Sequence, residues 1–599
     1  MRLPAVAIFL LVAAPMLSAQ TLVRSVNGPA AGSQFGKACI VVPDQNNDGF
    51  KDLLVGAPNF NGGRGAIYCI SGFYLASGNG ASTLWSLAPT VAAGDNFGFA
   101  LADVGDVTAD GVHDFLVGQP GYDHGSGIDN GAVRLVHGIS HSLSSLMHGP
   151  TASRFGTAMA AAGDVNANGK EDVILGAPDG LGSKGSVYLV DGNKLTLTIG
   201  VLSTGVSFFT LGGSDVFDRF GASVAGGVDF SGDGRPEFVI GVPGRDNGAA
   251  TDAGAVHIRN YVDQTVRTFS STVAGEALGS SISIGSDYDG DGTVDLVTGA
   301  PNFKGGSAYE VGRAVVLSGA RVMAQTPPYE LRSFAFGSVV PPVNHGDPVP
   351  HHHFGAAVKA CQDLNNDGVG EILVGASDYF SQGFSGWNFR GLVRLFSGAT
   401  GEQLAQIVGG TTDRLGNELT GAIDDLNGDG FREFVLAGAL SDAGGTDSGV
   451  LRCYRLFPVQ PVNYCVGQVN SLGCTPSIGS SGAPSANSTI PFHVTASNVV
   501  NQKNGLLFYS HAPTAVLFQG GTKCVASPSL RTASQNSGGS PSASDCSGAF
   551  SLDFNALITS GIDLSLTAGA EVFAQYWSRD PASPSHTSLS NALRFVVGP

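Results

Sequence analysis

A nine-residue acidic pattern recurs seven times along this chain, and its flanks recur with it, so any fold must be built from copies of one small unit. The fullest copy is Asp287–Asp295 (DYDGDGTVD), and its relatives begin at Asp44 (DQNNDGFKD), Asp106 (DVTADGVHD), Asp164 (DVNANGKED), Asp229 (DFSGDGRPE), Asp363 (DLNNDGVGE) and Asp425 (DLNGDGFRE). Successive copies start 62, 58, 65, 58, 76 and 62 residues apart. Nine residues before the first six stand Phe35-Gly36, Phe97-Gly98, Phe155-Gly156, Phe220-Gly221, Leu278-Gly279 and Phe354-Gly355; the seventh, Leu415-Gly416, is one residue farther off. Twelve residues after the first Asp come Gly56-Ala57-Pro58, Gly118-Gln119-Pro120, Gly176-Ala177-Pro178, Gly241-Val242-Pro243 and Gly299-Ala300-Pro301. The sixth copy has Gly375-Ala376-Ser377 there, and the seventh degrades to Ala437-Gly438-Ala439.

Each unit reads as strand, acidic hairpin loop, strand, Gly-Pro turn, strand and a looser fourth strand. With 87 glycines and only 13% charged residues, the composition suits short strands joined by tight turns. Four short antiparallel strands cannot bury both faces alone; set radially, each sheet packs on its neighbours and only short edges remain. Seven units predict an all-β fold led by a seven-bladed β-propeller. The last unit runs out after its third strand, Val450–Leu456, while Thr21-Leu22-Val23 matches Thr83-Leu84-Trp85 in distance from the following Phe-Gly. Thr21–Ser25 is therefore expected to supply the missing outer strand and close the ring.

Oxygen donors at positions 1, 3, 5 and 9 of a curled loop, with glycine at position 6, suit a hard cation that takes six to eight oxygens. The candidate ligands are Asp44, Asn46, Asp48 and Asp52; Asp106, Thr108, Asp110 and Asp114; Asp164, Asn166, Asn168 and Asp172; and Asp229, Ser231, Asp233 and Glu237. The later loops offer Asp287, Asp289, Asp291 and Asp295; Asp363, Asn365, Asp367 and Glu371; and Asp425, Asn427, Asp429 and Glu433. Many flexible oxygens favour calcium over magnesium, and the absence of His and Cys from the pattern disfavours zinc. The plainer alternative is an Asp-rich turn held by its own backbone hydrogen bonds; seven copies with the same donor spacing weigh against it. Up to seven calcium ions are expected, held most tightly by the four carboxylates of the Asp287 loop and most weakly by the Asp164 loop.

The order of Phe-Gly, acidic loop and Gly-Ala-Pro resembles the FG-GAP repeat of integrin α-chain propellers and related bacterial secreted proteins, over Thr21 to Phe457. The resemblance implies a seven-bladed propeller, calcium in the strand-to-strand loops, and extracellular adhesion or recognition. In integrins only some blades carry the calcium loop, whereas all seven do here.

Met1–Ala19 reads as a secretory signal peptide, and no later run is long enough for a membrane span. The expected division is 1–19 signal peptide, 20–458 propeller, 459–463 linker and 464–599 a β-sandwich module, in a secreted or cell-surface protein. A formal charge of −18 argues against nucleic-acid partners. Cys465, Cys474, Cys524 and Cys546 fall in the last quarter; 465–474 and 524–546 are the economical pairings, and Cys39, Cys69, Cys361 and Cys453 read as small buried hydrophobes. That quarter's Tyr464-Cys465, Asn470-Ser471-x-Gly473-Cys474 and Gln575–Asp580 resemble an uncharacterised C-terminal module of secreted bacterial proteins. Within it Tyr576, Trp577 and Arg579 are weighed as a carbohydrate or partner contact against simple core packing with an Arg–Asp pair. His345 and His351-His352-His353 lie in the insertion of the fifth interval and read as a loop without an evident acidic partner. No nucleophile elbow, zinc-protease helix or phosphate loop is apparent, and no acid pair stands apart from the seven loops. The sequence thus points to a calcium-stabilised scaffold recognising an extracellular protein or glycan, with a polysaccharide hydrolase or lyase working in a propeller-face cleft as the alternative.

Overall fold

A computed structural model describes residues 20–597 except 79, 197–198, 202–206, 306–309, 337–351, 365–367, 384–385, 417, 425, 427–432, 457–460, 483, 487–490, 542–543 and 568–569. The proposed signal segment 1–19 and part of the 459–463 linker lie outside the described residues. The chain forms two compact units, the larger over Leu22–Arg455 and the smaller over Leu456–Pro599.

The larger unit is all-β, each repeat making an antiparallel sheet of four strands. The first sheet contains Cys39–Val42, Asp52–Ala57, Ala66–Ile70 and Thr83–Leu87. The next contains Leu101–Asp103, Phe115–Gln119, Ala132–Val136 and Leu143–His148, with Ile199–Val201 added in parallel at its edge. There follow Ala158–Gly163, Asp172–Ala177, Ser186–Val190 and Ser207–Gly212, then Val224–Val228, Glu237–Val242, Ala255–Arg259 and Val266–Ser270. Ser281–Ile284, Leu296–Ala300, Arg313–Leu317 and Glu330–Ala335 make another, and Ala357–Ala360, Ile372–Ala376, Leu392–Phe396 and Gln403–Val408 the one after it. The last joins Glu418–Asp424, Glu433–Gly438 and Val450–Leu456 to Gln20–Asn27, which arrives from the other end of the chain at the position expected of Thr21–Ser25.

The opening strand of each sheet packs beside the opening strand of the next, and Glu418–Asp424 packs back against Cys39–Val42. The second strands, such as Asp52–Ala57 and Asp172–Ala177, are buried along their whole length. That double burial explains why they read as nearly unbroken apolar runs rather than alternating ones. The opening strands crowd together and use small residues: a Cβ on Gly226 would lie 2.9 Å from Ala162 Cα in the neighbouring sheet.

The Phe-Gly and Gly-Ala-Pro motifs are the joints between these sheets. Each Phe or Leu is buried and bridges to the glycine ahead of the third strand of the preceding sheet, as in Phe97–Gly65, Phe155–Gly131 and Leu278–Gly254; Phe35 bridges to Gly449 of the last. The following glycine has φ of +91° at Gly98 and +84° at Gly156, a left-handed conformation that a side chain resists. Its N–H donates to the carbonyl of its own second strand: Gly36 to Gly56 at 2.9 Å, Gly98 to Gly118 at 3.1 Å, Gly355 to Gly375 at 2.8 Å. Its carbonyl in turn abuts the Gly-x-Pro glycine of the preceding sheet, so that a Cβ on Gly56 would collide with Gly98 O. In the last sheet Ala437 stands where the others carry glycine, and it accepts from Gly416 at 3.3 Å.

In the smaller unit one sheet runs Val462–Tyr464, Thr587–Val596, Glu571–Arg579, Asn504–Ser510 and Leu530–Arg531, and a second joins Ser477–Ser481, His493–Val499 and Gly548–Asp553. Val494, Ala496 and Phe550 from the second share a buried core with Leu507, Tyr509, Val572, Tyr576, Leu593 and Phe595 from the first. A hairpin, Pro513–Phe518 with Gly521–Val525, lies over the outer face of the first sheet around Phe508, Val525, Phe573 and Leu589. The disulfides are Cys465–Cys524 and Cys474–Cys546, not the economical 465–474 and 524–546. Cys465 follows the edge strand Val462–Tyr464, and Tyr464 Oη donates to Cys524 O at 2.7 Å, which brings the hairpin rather than Cys474 within reach. Cys69, Cys361 and Cys453 are buried in the larger unit.

Candidate metal sites

The acidic loops all connect the first and second strands of a sheet, while the Gly-Ala-Pro turns connect the second and third. The two sets therefore lie at opposite ends of the second strands. In each described loop the position-1 Asp curls the backbone over itself. Its Oδ2 accepts from the position-6 glycine N–H at 2.7 Å in the Asp44, Asp164, Asp229 and Asp287 loops and 2.8 Å in the Asp106 and Asp363 loops. Those glycines have φ between +85° at Gly169 and +91° at Gly111, with open space around them, so it is the backbone angle that requires glycine.

The position-9 carboxylates Asp52, Asp114, Asp172, Glu237, Asp295, Glu371 and Glu433 are all fully buried. They hold the loop from beneath: Gln45 N donates to Asp52 at 2.7 Å, Val165 N to Asp172 at 3.1 Å, Phe230 N to Glu237 at 2.6 Å, Tyr288 N to Asp295 at 2.7 Å and Leu426 N to Glu433 at 3.0 Å. Leu364 N donates likewise to Glu371. The other oxygen accepts from the glycine closing the third strand, Gly72 at 3.1 Å, Gly138 at 3.0 Å, Gly192 at 3.0 Å and Gly319 at 2.9 Å. Burial pushes Asp52 and Asp172 up to about 6 and Asp295 up to about 7, and neighbouring carboxylates push the same way: Asp48 and Asp44, Asp191 and Asp164, and Asp289 and Asp291.

Among the described residues, two loops bring three carboxylates together. Asp229, Asp233 and Glu237, and Asp287, Asp289 and Asp295, each offer oxygens within 4.8 Å of one another. Asp291, the fourth acid of its loop, lies 3.4 Å from Ser318 Oγ, and Ser231 Oγ lies 3.3 Å from Asp229. In the Asp44 loop Asn46 donates to Asp48 at 3.0 Å, and Asp44, Asp48 and Asp52 do not form such a triad. Asp110 accepts from Val112 N, and Thr108 Oγ1 is buried without a hydrogen-bond partner. In the Asp164 loop Asn166 Oδ1 is likewise buried without one, and Asn168 turns to Asp191 at 2.9 Å. Asn365, Asp367, Asp425, Asn427 and Asp429 lie outside the described residues.

Several contributors escape a reading of the nine-residue pattern. Asn260 Nδ2 donates to Glu237 at 2.6 Å and Asp233 at 2.8 Å, Asp191 joins the Asp164 loop, and Arg321 lies 3.6 Å from Asp289. Asn260, Asp191 and Ser318 each immediately follow a third strand, so position in the repeat was the available signal. The position-7 cations reach back one repeat, Lys170 to Asp106 O at 3.3 Å and Arg235 to Val165 O at 3.5 Å. His345 and His351 lie outside the described residues. His352 is buried against Phe336, and His353, expected to lack an acidic partner, has Asp378 at 2.7 Å and Glu310 at 3.5 Å. In the smaller unit Tyr576 is core, its hydroxyl donating to Val494 O at 2.9 Å, whereas Trp577 is half-buried and Arg579 exposed. Asp580 accepts from Ser471 N at 2.7 Å in place of an Arg–Asp pair.

The FG-GAP repeat family model matches residues 155–190, 220–258 and 278–317, so the chain carries FG-GAP repeats. Integrin alpha pat-2 of Caenorhabditis briggsae is 32% identical over 219 residues, 33% of this chain and 17% of that protein. Integrin alpha-E of Mus musculus is 35% identical over 187 residues, 29% of this chain and 15% of its own length. Phosphatidylinositol-glycan-specific phospholipase D of Rattus norvegicus is 32% identical over 187 residues, 30% of this chain and 22% of its own. This chain therefore spans about a fifth or less of these relatives.

Proposed function

We propose that the larger unit is a closed seven-bladed β-propeller whose acidic loops bind calcium, and that the protein is a secreted scaffold for extracellular recognition or adhesion. The smaller unit is, in this reading, a disulfide-stapled β-sandwich. The observation that carries the proposal is the crowding of carboxylates around one buried acid in repeated loops, most of all where half-buried Asp287 and exposed Asp289 meet fully buried Asp295. Asp52, Asp172 and Asp295, pushed upward by burial and by neighbouring carboxylates, are relieved by a divalent charge, and the partnerless oxygens of Thr108 and Asn166 are further donors of the type calcium takes. The loop residues named above would hold the ion; its contribution would be positive charge that fixes hairpin shape.

The end of the sheets away from the acidic loops is the better candidate for ligand contact. A shallow, open depression there is lined by Asn59, Asn61, Asn96, Phe60, two alanines and glycines, offering amides and backbone rather than an acid pair. That composition favours recognition over the hydrolase or lyase alternative. The similarity to integrin α chains supports the same choice, and the partner is an extracellular protein or glycan. The test is to measure bound calcium and melting of the purified chain with calcium and with chelator, followed by binding to glycan and matrix-protein arrays. Identical melting curves and no bound calcium would remove the metal from the proposal.

A further inference from the structure

We propose a second binding site, in the smaller unit and independent of the larger one, that takes an acidic saccharide. The cleft, about 300 Å³, lies between the outer face of the main sheet and the Pro513–Val525 hairpin. Strand register builds its floor. Leu506 pairs with Trp577 and Phe508 with Arg531 across neighbouring strands, which puts each pair on one face. The hairpin supplies the wall through Phe518, Gln519 and Lys523.

The wall is fixed in place. Cys465–Cys524 ties the hairpin down; Gln575 accepts from Cys524 N at 3.0 Å and donates to Thr522 O at 3.0 Å; Trp577 Nε1 donates to Gln519 Oε1 at 3.1 Å. The indole is thus held at the cleft rather than tumbling at the surface, and such preorganisation lowers the entropic cost of binding.

Charge and shape select the occupant. The chain carries a formal charge of −18, yet this cleft has two cations and no carboxylate among its described lining residues. Arg531 is exposed at the rim, and Lys523 Nζ lies 5.9 Å from the Phe508 ring centre. A guanidinium presents paired donors that match a carboxylate or a sulfate. Aromatic faces beside an amide suit the apolar face and hydroxyl edge of a pyranose ring, and the volume is that of one or two sugars. A peptide adding as a strand is disfavoured because the sheet edge at the cleft, Leu530–Arg531, is two residues long.

The test uses the full chain with calcium and measures binding of galacturonate oligomers, sulfated galacto-oligosaccharides, neutral galacto-oligosaccharides and a polyglutamate peptide by calorimetry. One or both acidic saccharides should bind at least about tenfold more tightly than the neutral one; which of them binds identifies carboxylate or sulfate as the anion read. Arg531→Ala, an exposed position that leaves the core untouched, should cost about tenfold, and Trp577→Ala should weaken acidic and neutral sugars alike. Asp287→Asn should leave this binding unchanged, which separates it from the scaffold reading. Equal affinity for acidic and neutral sugars, equal or tighter binding of polyglutamate, or no effect of Arg531→Ala would overturn the proposal.

Discussion

In the smaller unit two disulfides join residues 59 and 72 positions apart around one core. In the larger unit the described cysteines form no disulfide, and Cys69 and Cys361 are buried thiols among the strands. Its sheets are joined instead by buried Phe or Leu side chains, glycine-to-glycine backbone contacts and acidic loops that reach across to their neighbours. One unit limits the freedom of its unfolded chain with covalent links, while the other multiplies a small non-covalent joint. Two units built on such different terms should fail under different stresses, and each of the following measurements probes that separation.

Reduction should act first and most strongly on the smaller unit. Loops of this length correspond to about 4 kcal/mol per disulfide in the chain-entropy account, so calorimetry under reductant should lose or shift one transition while the larger unit's transition stays. A common shift of both would mean that the units melt together.

Gly56→Ala is the converse experiment, aimed at one joint of the larger unit. The new methyl group meets Gly98 O, and backbone must move; a loss of about 3 kcal/mol is expected in that transition alone. Ala437, which occupies the equivalent place in the last sheet, is the internal control: Ala437→Gly should change stability by less than about 1 kcal/mol, because the closing joint already accommodates a methyl group.

The loops sharpen the comparison further. If they hold calcium, Asp287→Asn should destabilise the protein in calcium by about 2 kcal/mol and remove one bound ion, whereas Asp164→Asn, in a loop already short of carboxylates, should cost about 1 kcal/mol, the loss of one backbone acceptor, by the same amount with calcium or with chelator. Neither change should move the smaller unit.

The smallest effect at neutral pH belongs to His257, buried in the larger unit and facing Phe220, with Arg245 and Arg259 nearby. Burial, then the two arginines, holds it down to about 3. Because the folded value lies below the ordinary one, its contribution is complete above about pH 6.5 and drains away as pH falls toward 3. His257→Leu should therefore flatten the acid side of the larger unit's stability profile between those limits and leave the smaller unit's profile unaltered.

The repeat was legible in sequence because its parts keep fixed distances. Phe-Gly, loop and Gly-Ala-Pro each serve a backbone requirement, a buried anchor, a left-handed turn or a close approach, that tolerates few residues. Asn260, Asp191 and Ser318 were not legible as loop partners, since they follow position 9 of their loops by 23, 19 and 23 residues across hairpins of differing length. His353 finds Asp378 only because two connections converge in space. The disulfides were misread for a related reason. Proximity in sequence suggested Cys465 with Cys474, but the hairpin at Gly521–Val525 folds back over the sheet and presents Cys524 first. Of the candidate contact Tyr576, Trp577 and Arg579, alternation along one strand decided the matter: Tyr576 faces the core and Trp577 the cleft.

Gln20–Asn27 completes a sheet whose other strands come from the far end of the larger unit, and Asn27 bonds to Ala443 across a separation of 416 residues. A ribosome makes the first of these strands early and its partner last, so the molecule cannot be fastened until nearly the whole unit exists, and its folding is tied to a contact of the longest range. Until then Val450–Leu456 has an open edge on one side and Gln20–Asn27 has nowhere to lie. Two half-finished copies present each other with what each lacks, which makes exchange of this strand the specific hazard of crowded synthesis or refolding. A circularly permuted gene that opens at a connection between sheets, with residues 27 and 443 made close together in time, would exchange that hazard for a new seam elsewhere.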